Sequence, residues 1–316
     1  MIFKFDDSVK TDDDKERHLL AKCLRLMNEK GHKVDRNGCY FSYIDKAILV
    51  TTYIGGMDIA LIEKNHTFFD VTNSHRVDYR YVTIGYGEGM CPPAEAYLIL
   101  NEPSLVVVEN NTNDGSVITR WAECYKDEDK VGEVNECVLE AIKDKRLRFL
   151  NAGGGDGTII KRIEDERNNF GGFPQFKMTT VYDSDKNSVN DTSNHNKALE
   201  DYLIANNYDY HCLVKREMEN YFPVSVYSEC GLLQEGKKVP SYSAEEWDYF
   251  EIKEEKDKRP GEQDFLYYEK RLLPALAAKA NKDHFKQRVA HQKKYNSHYG
   301  EVDEIQHVLL MLAQYI

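Results

Sequence analysis

LVVVENNTNDG (residues 105–115) and MTTVYDSDKN (178–187) both run from a short, apolar, β-rich stretch directly into acids and turn-forming residues. RFLNA (148–152) and YHCLVK (210–215) have the same strand-like character. Between these four stretches lie segments with helical spacing: one around 115–129, TIIKRIEDE (158–166) and NKALEDYLIANN (196–207). Strands that alternate with helices predict right-handed crossovers and a parallel sheet whose chemistry sits at the carboxyl ends of the strands. The predicted fold class is therefore α/β, a Rossmann-like four-stranded parallel sheet with flanking helices over residues 104–223.

Residues 1–100 read differently. Leu19, Leu20, Cys23, Leu24 and Met27 fall on one stripe of an amphipathic helix spanning about 10–30, and Gly31 stands just past its end. From Cys39 onward, AILVTTYI (47–54), DIALIE (58–63) and YRYVTIGY (79–86) alternate with Gly, Asn and Asp. This predicts a small α+β domain of unassigned function. After Pro223 the pattern loosens through EIKEEKDKR (251–259) into helical stretches at 262–280, 283–296 and 302–315, predicting a mostly helical region over 224–316.

Lys+Arg 42 against Asp+Glu 54 gives a net charge of −12, which argues against coating nucleic acid by bulk charge. A polyanion would have to be met by a local basic patch or through metal ions. No apolar run approaches the ~20 residues that span a bilayer, and MIFKFDDSVK lacks the layout of a signal peptide, so a cytoplasmic protein without a membrane partner is expected. The seven cysteines (Cys23, Cys39, Cys91, Cys124, Cys137, Cys212, Cys230) include no CxxC pair and are expected to be reduced and mostly buried.

The chemistry is concentrated where strands end. Glu109 closes the first strand, Asp183 and Asp185 close the third, and Glu217 and Glu219 follow the fourth. Two carboxylates about 4 Å apart repel by roughly 4 kcal/mol at an effective dielectric near 20, so such a cluster calls for a compensating cation. Oxygen ligands suit Mg²⁺ or Mn²⁺, and such ions support phosphoryl displacement. Isolated acids after strands are also ordinary turn residues and helix caps.

Over about residues 104–223 the chain resembles the TOPRIM domain of topoisomerases, primases and the overcoming-lysogenization-defect nucleases. The marks are LVVVENNTNDG, RFLNAGGGDG (148–157), VYDSDKN (181–187) and LVKREMENYFP (213–223). The last is most similar to the nuclease branch found in bacterial anti-phage defence systems. The resemblance implies a metal-dependent endonuclease with Glu109, Asp183, Asp185 and Glu219 as metal ligands. Lys215 would steady charge on the scissile phosphate, with Arg216 as the alternative because adjacent strand residues face opposite sides. Asn110 and Asn111 stand where the family often has Gly, which displaces Asp114 from the ligand position. The expected substrate is DNA or RNA. An effector of this kind needs restraint by a regulatory partner, such as a separately encoded ATPase, and a homo-oligomer is compatible with it. The other reading is a TOPRIM nucleic-acid-binding or regulatory subunit that has lost catalysis.

Three further motifs compete. GGGDGT (153–158) resembles the nucleotide loop of NAD and lipid kinases and the cofactor loop of aminopropyltransferases, since glycines let backbone approach an anion at a helix N-terminus. Its context favours a TOPRIM second-strand loop: Asp183 lies 30 residues after Gly153, no Asp-x-x-Asp-Pro follows, and the chain continues into helices. Gly231–Lys238 has Walker A spacing but lacks the Ser or Thr after its lysine and runs into Pro240, so no ATPase is expected. Residues 277–300 hold six Lys or Arg against one Asp. If helical, Lys279, Lys282, Lys286 and Lys293 share a face that could track a phosphate backbone, unless it is simply solvated. His284, His291 and His298 recur every seven residues, two helical turns and thus about 10 Å apart, too far to share a metal.

Overall fold

The computed structural model describes residues 1–35, 56–65, 67–69, 80–128, 131–153, 156–170, 177–232, 242–251 and 273–316. Two four-stranded parallel sheets organise them. The first has the order β3-β2-β1-β4, from β1 (Ile2–Phe5), β2 (Lys33–Asp35), β3 (Phe68–Phe69) and β4 (Tyr81–Ile84). Helix α1 (Asp14–Lys30) joins β1 to β2. Its N-terminus is capped by the Asp13 carboxylate, and it stops at Gly31, whose φ of 78° is in the left-handed region. Leu20, Ala21, Cys23, Leu24 and Met27 form its buried stripe.

The α+β arrangement expected before residue 100 is thus corrected to parallel α/β. DIALIE is helical, within α2 (Gly56–Lys64), and AILVTTYI lies outside the described residues. A short apolar run has no periodicity that separates strand from helix. Gly and Asn between such runs punctuate crossovers as readily as hairpins.

Helix α3 (Pro93–Asn101) leads into the second sheet, of order β6-β5-β7-β8. Its strands are β5 (Ser104–Val108), β6 (Leu147–Asn151), β7 (Met178–Tyr182) and β8 (Tyr210–Cys212), all parallel, with Val106 opposite Phe149 and Thr179. The crossovers are α4 (Asn113–Tyr125) with α5 (Gly132–Lys143), then α6 (Asp156–Arg167), then α7 (Lys197–Ala205). Helix α5 lies beyond the helical stretch expected around 115–129 and was not anticipated.

Strand β5 is apolar from Leu105 to Val108 because both its faces are covered. Val106 and Val108 point into a core with Trp121, Tyr221 and Phe285, whereas Leu105 and Val107 point into a core shared with Met1, Leu24 and Met178. Each fully buried valine contributes about 1.5–3 kcal/mol, so this strand anchors both layers.

The C-terminal region completes the first of these cores. Its described elements are α8 (Val224–Glu229), α9 (Ala244–Asp248), α10 (Leu273–Lys279), α11 (Lys282–Val289), the antiparallel pair β9 (Tyr295–Ser297) and β10 (Gly300–Val302), and α12 (Glu304–Ala313). Helix α10 packs on α4, and α12 packs on α5 and α4. The helix expected over 283–296 stops at Val289, and the chain then forms the β9–β10 hairpin. Trp121 and Trp247 are both core residues. Of the six described cysteines, all free, Cys23 and Cys91 are buried and Cys137 is exposed, so the thiols are less buried than expected; Cys39 lies outside the described residues. Among the described residues no helix is long and apolar enough to cross a membrane.

Candidate active site

The carboxyl ends of β5 and β7 lie side by side in the sheet, so the residues that follow them converge. Glu109 is the first residue beyond β5. The chain then turns on Asn110, whose Oδ1 accepts from the backbone N–H of Thr112 (3.1 Å) and Asn113 (3.1 Å). The Asn110 N–H in turn donates to Asp114 Oδ2 at 2.9 Å. This closed turn brings Asp114 back over the strand end. The Asn110-Asn111 departure therefore seats Asp114 among the acids rather than displacing it, which corrects the expectation. The signal was present in the sequence as an Asn three residues before the helix start and an Asp four residues after that Asn.

Asp183, the first residue beyond β7, is the centre of the group. Its Oδ1 accepts from the Met218 N–H at 3.1 Å, and its carbonyl accepts from Asn196 Nδ2 at 2.8 Å. Burial pushes its carboxyl well above the usual carboxylate range, and Glu109, Asp114, Glu219 and Glu217 push it further in that order. Burial also raises Asp114 to about 6, against the pull of backbone donors at Asn110 and Glu109. Glu217 and Glu219 are buried; Glu217 caps and Glu219 lies within the short 3₁₀ helix Met218–Tyr221, whose start is closed by Asn220 Oδ1 accepting from the Glu217 N–H at 2.9 Å.

Asp185 stands apart. It is exposed, its backbone has a φ of 55°, and its N–H donates to the Arg216 carbonyl at 3.2 Å. A spacing of two keeps carboxylates on one side only while the chain stays extended. Strand β7 ends at Tyr182, and the left-handed turn at Asp185 breaks that relation.

Lys215 does not accompany the acids either. Strand β8 ends at Cys212 rather than continuing to 215, and the fully buried Lys215 turns into the C-terminal helices. There it pairs with Asp248 and lies 5.3 Å from the Tyr221 ring centroid. Asp248 also pairs with Arg288 and His291. Glu304, beside them, accepts from Tyr221 Oη (2.5 Å) and the Val214 N–H (2.7 Å) and pairs with His211 (3.0 Å). This buried polar network was not foreseen, because Asp248 and Glu304 lie in helices with nothing unusual in their local sequence. It is the neighbour, Arg216, that borders the site: its guanidinium donates to the Lys186 carbonyl (3.2 Å) and Asn187 Oδ1 (2.7 Å), in the loop that follows Asp183.

The Gly-rich stretch leaves β6 beside Glu109. The Gly153 N–H donates to the Glu109 carbonyl and to Asn151 Oδ1, both at 3.1 Å, and φ at Gly153 is 89°, which favours glycine. Gly154, Gly155 and most of the Walker-like segment lie outside the described residues.

The lysines expected to form one face do not share one. Asn281 caps α11 and separates Lys279 from Lys282, while Lys293 lies beyond the helix. Lys282 and Lys286 both pair with Glu128, at 2.5 and 2.6 Å. His291 is engaged by Asp248 and His284 by its own helix cap.

An oxygen-only donor set of Glu109, Asp114, Asp183 and Glu219 suits a hard divalent cation, which would relieve the repulsion raising Asp183. Among the described residues no group of three acid, histidine or cysteine side chains stands at metal-holding spacing, so these carboxylates would have to draw together around an ion. No protein-family model, no curated protein and no solved structure matches the chain, which leaves this convergence of acids as the finding that bears on function.

Proposed function

We propose that the chain is a Mg²⁺- or Mn²⁺-dependent nuclease of the TOPRIM kind, hydrolysing phosphodiester bonds of DNA or RNA. The observation that supports this reading is the set of acids around Asp183, brought from the ends of two neighbouring parallel strands and the turn after a third. Glu109, Asp114, Asp183 and Glu219 would hold the ion. A divalent cation supplies charge neutralisation and water activation for phosphoryl displacement. Arg216, on the loop that borders the acids, would face the charge developing on the phosphate. The Asn110 turn and the Met218 N–H keep Asp114 and Asp183 oriented. A role as a defence effector restrained by a partner, such as a separate ATPase, rests on the resemblance of LVKREMENYFP alone.

The test is incubation with plasmid, single-stranded DNA and total RNA in Mg²⁺, Mn²⁺ or EDTA. Loss of a defined polymer only with the divalent ion, abolished by Asp183→Asn, is the expected outcome. That no three-ligand group stands ready-made among the described residues favours one competitor, a regulatory subunit that binds nucleic acid without cutting it. Salt-dependent binding with no turnover in either ion would select that reading.

A further inference from the structure

We propose a second site at the opposite end of the same sheet: a cleft at the amino ends of β5, β6 and β7 that binds a small phosphate-class anion. The cleft, of about 250 Å³, is lined by Lys30, Lys145, Arg146, Arg148 and Lys177, against the acids Glu102 and Asp144. Its size is below the ~300–1,000 Å³ typical of drug-sized ligands, which fits a phosphate or a compact phosphorylated group.

Surface lysines alone would mean little; Lys177 is different. It is only 2% exposed, yet it lines the cleft, and among the described residues no carboxylate lies within ion-pair distance of it. Its backbone is held at the strand entrance, where its carbonyl accepts from the Leu105 N–H at 2.7 Å. Burial first, and then Lys30, lower its ammonium to about 7. A buried cation with no carboxylate in contact is costly to keep, and here it shares a cleft with four other cations while Glu102 acts on it only from beyond ion-pair distance. Of the cleft's acids, Asp144 reaches only Arg146, at 3.9 Å. His32 lines the same cleft and is buried. Its ring nitrogens make no hydrogen bond of normal geometry among the described residues, although the Ile316 carbonyl lies close by. An anion seated between Lys177 and Arg146 would supply the missing partner through charge-assisted contacts.

This inference does not depend on the nuclease reading, because the acids lie beyond the carboxyl ends of the strands and the cleft lies at their amino ends. The experiment is thermal shift and calorimetric titration of the untagged full chain with inorganic phosphate and pyrophosphate, against chloride at equal ionic strength. Saturable binding is expected, weakened at least tenfold in Lys177→Met and retained in Asp183→Asn. Should Lys177→Met fail to fold, Arg146→Ala carries the same expectation. A shift no larger than that of chloride, or unchanged binding in the folded variants, overturns the proposal. Competition by a 5′-phosphorylated oligonucleotide but not its 5′-hydroxyl form would identify a nucleic-acid end as the source. Competition by neither would identify a free small phosphate.

Discussion

Lys215→Met separates the two roles that its position permits. The substitution keeps the aliphatic stem and removes the ammonium from a pocket that also holds Asp248, Arg288, His291 and Glu304. Gln292, with its amide oriented to donate to Glu304 at 3.1 Å, accepts from Lys215 Nζ at 3.2 Å, so the charge-assisted contact with Asp248 and the hydrogen bond to Gln292 are lost together. Removing one member of a buried pair typically costs 3–5 kcal/mol. Arg288 and His291 still hold Asp248, and burial already lowers the Lys215 ammonium to about 8, so the cost falls below that range, to about 1–2 kcal/mol. For a chain of 316 residues that corresponds to a fall of about 2–3 °C in melting temperature. The measurement is urea and thermal unfolding, followed by cleavage assays well below the shifted transition. The expected result is a clear loss of stability with cleavage per folded molecule reduced less than threefold. A variant with wild-type unfolding but no cleavage would refute the structural assignment and return Lys215 to the chemistry.

Arg216→Ala should lower cleavage by about 10²–10³ per folded molecule, as for loss of one charge-stabilising donor; its ion pairs with Glu217 (3.5 Å) and Glu251 (3.2 Å) go with it, so the assay is run well below the lowered melting transition. Asp114→Asn keeps the acceptor for the Asn110 N–H while removing a carboxyl raised to about 6. A raised carboxyl contributes stability below its unfolded value near 4 and loses it as pH climbs through 6. In EDTA the variant should therefore be more stable than wild type at pH 7.5, by about 1–2 kcal/mol after allowance for partial exposure, and show little gain at pH 4.5. Equal gains in denaturant unfolding at both pH values would contradict the clustering of acids. The double variant Lys282→Ala/Lys286→Ala removes two ion pairs with Glu128, so nucleic-acid affinity should change less than twofold with an unchanged salt slope. A slope reduced by about 2 in filter binding would show that these lysines contact phosphate after all.

What could be read from the chain, and what could not, divides at the ends of strands. Within a strand buried on both faces residues are apolar, or β-branched with the hydroxyl bonded to backbone as Thr179 and Thr180 are, so LVVV and TTV announced β5 and β7, and the acids that follow marked their carboxyl ends. Those facts concern sequence neighbours, and periodicity captures them. Beyond the strand, the direction of each side chain depends on how the backbone turns, which is set by partners far away in sequence. Asp183 and Asp185 look equivalent in Asp-Ser-Asp. One is nevertheless fixed inside the site by the Met218 N–H, while the other is turned outward by a left-handed residue tied to the Arg216 carbonyl. Lys215 and Arg216 are adjacent, and their roles are decided by Asp248, more than thirty residues later, claiming the lysine. The N-terminal sheet was misread for a related reason: DIALIE carries the same apolar content whether helical or extended, and only the neighbours it packs against choose. The same logic explains Lys177. Nothing in its local sequence marks it, and its burial among cations, with no carboxylate of the described residues in contact, emerges only when three strand entrances and the end of α1 are brought to one cleft.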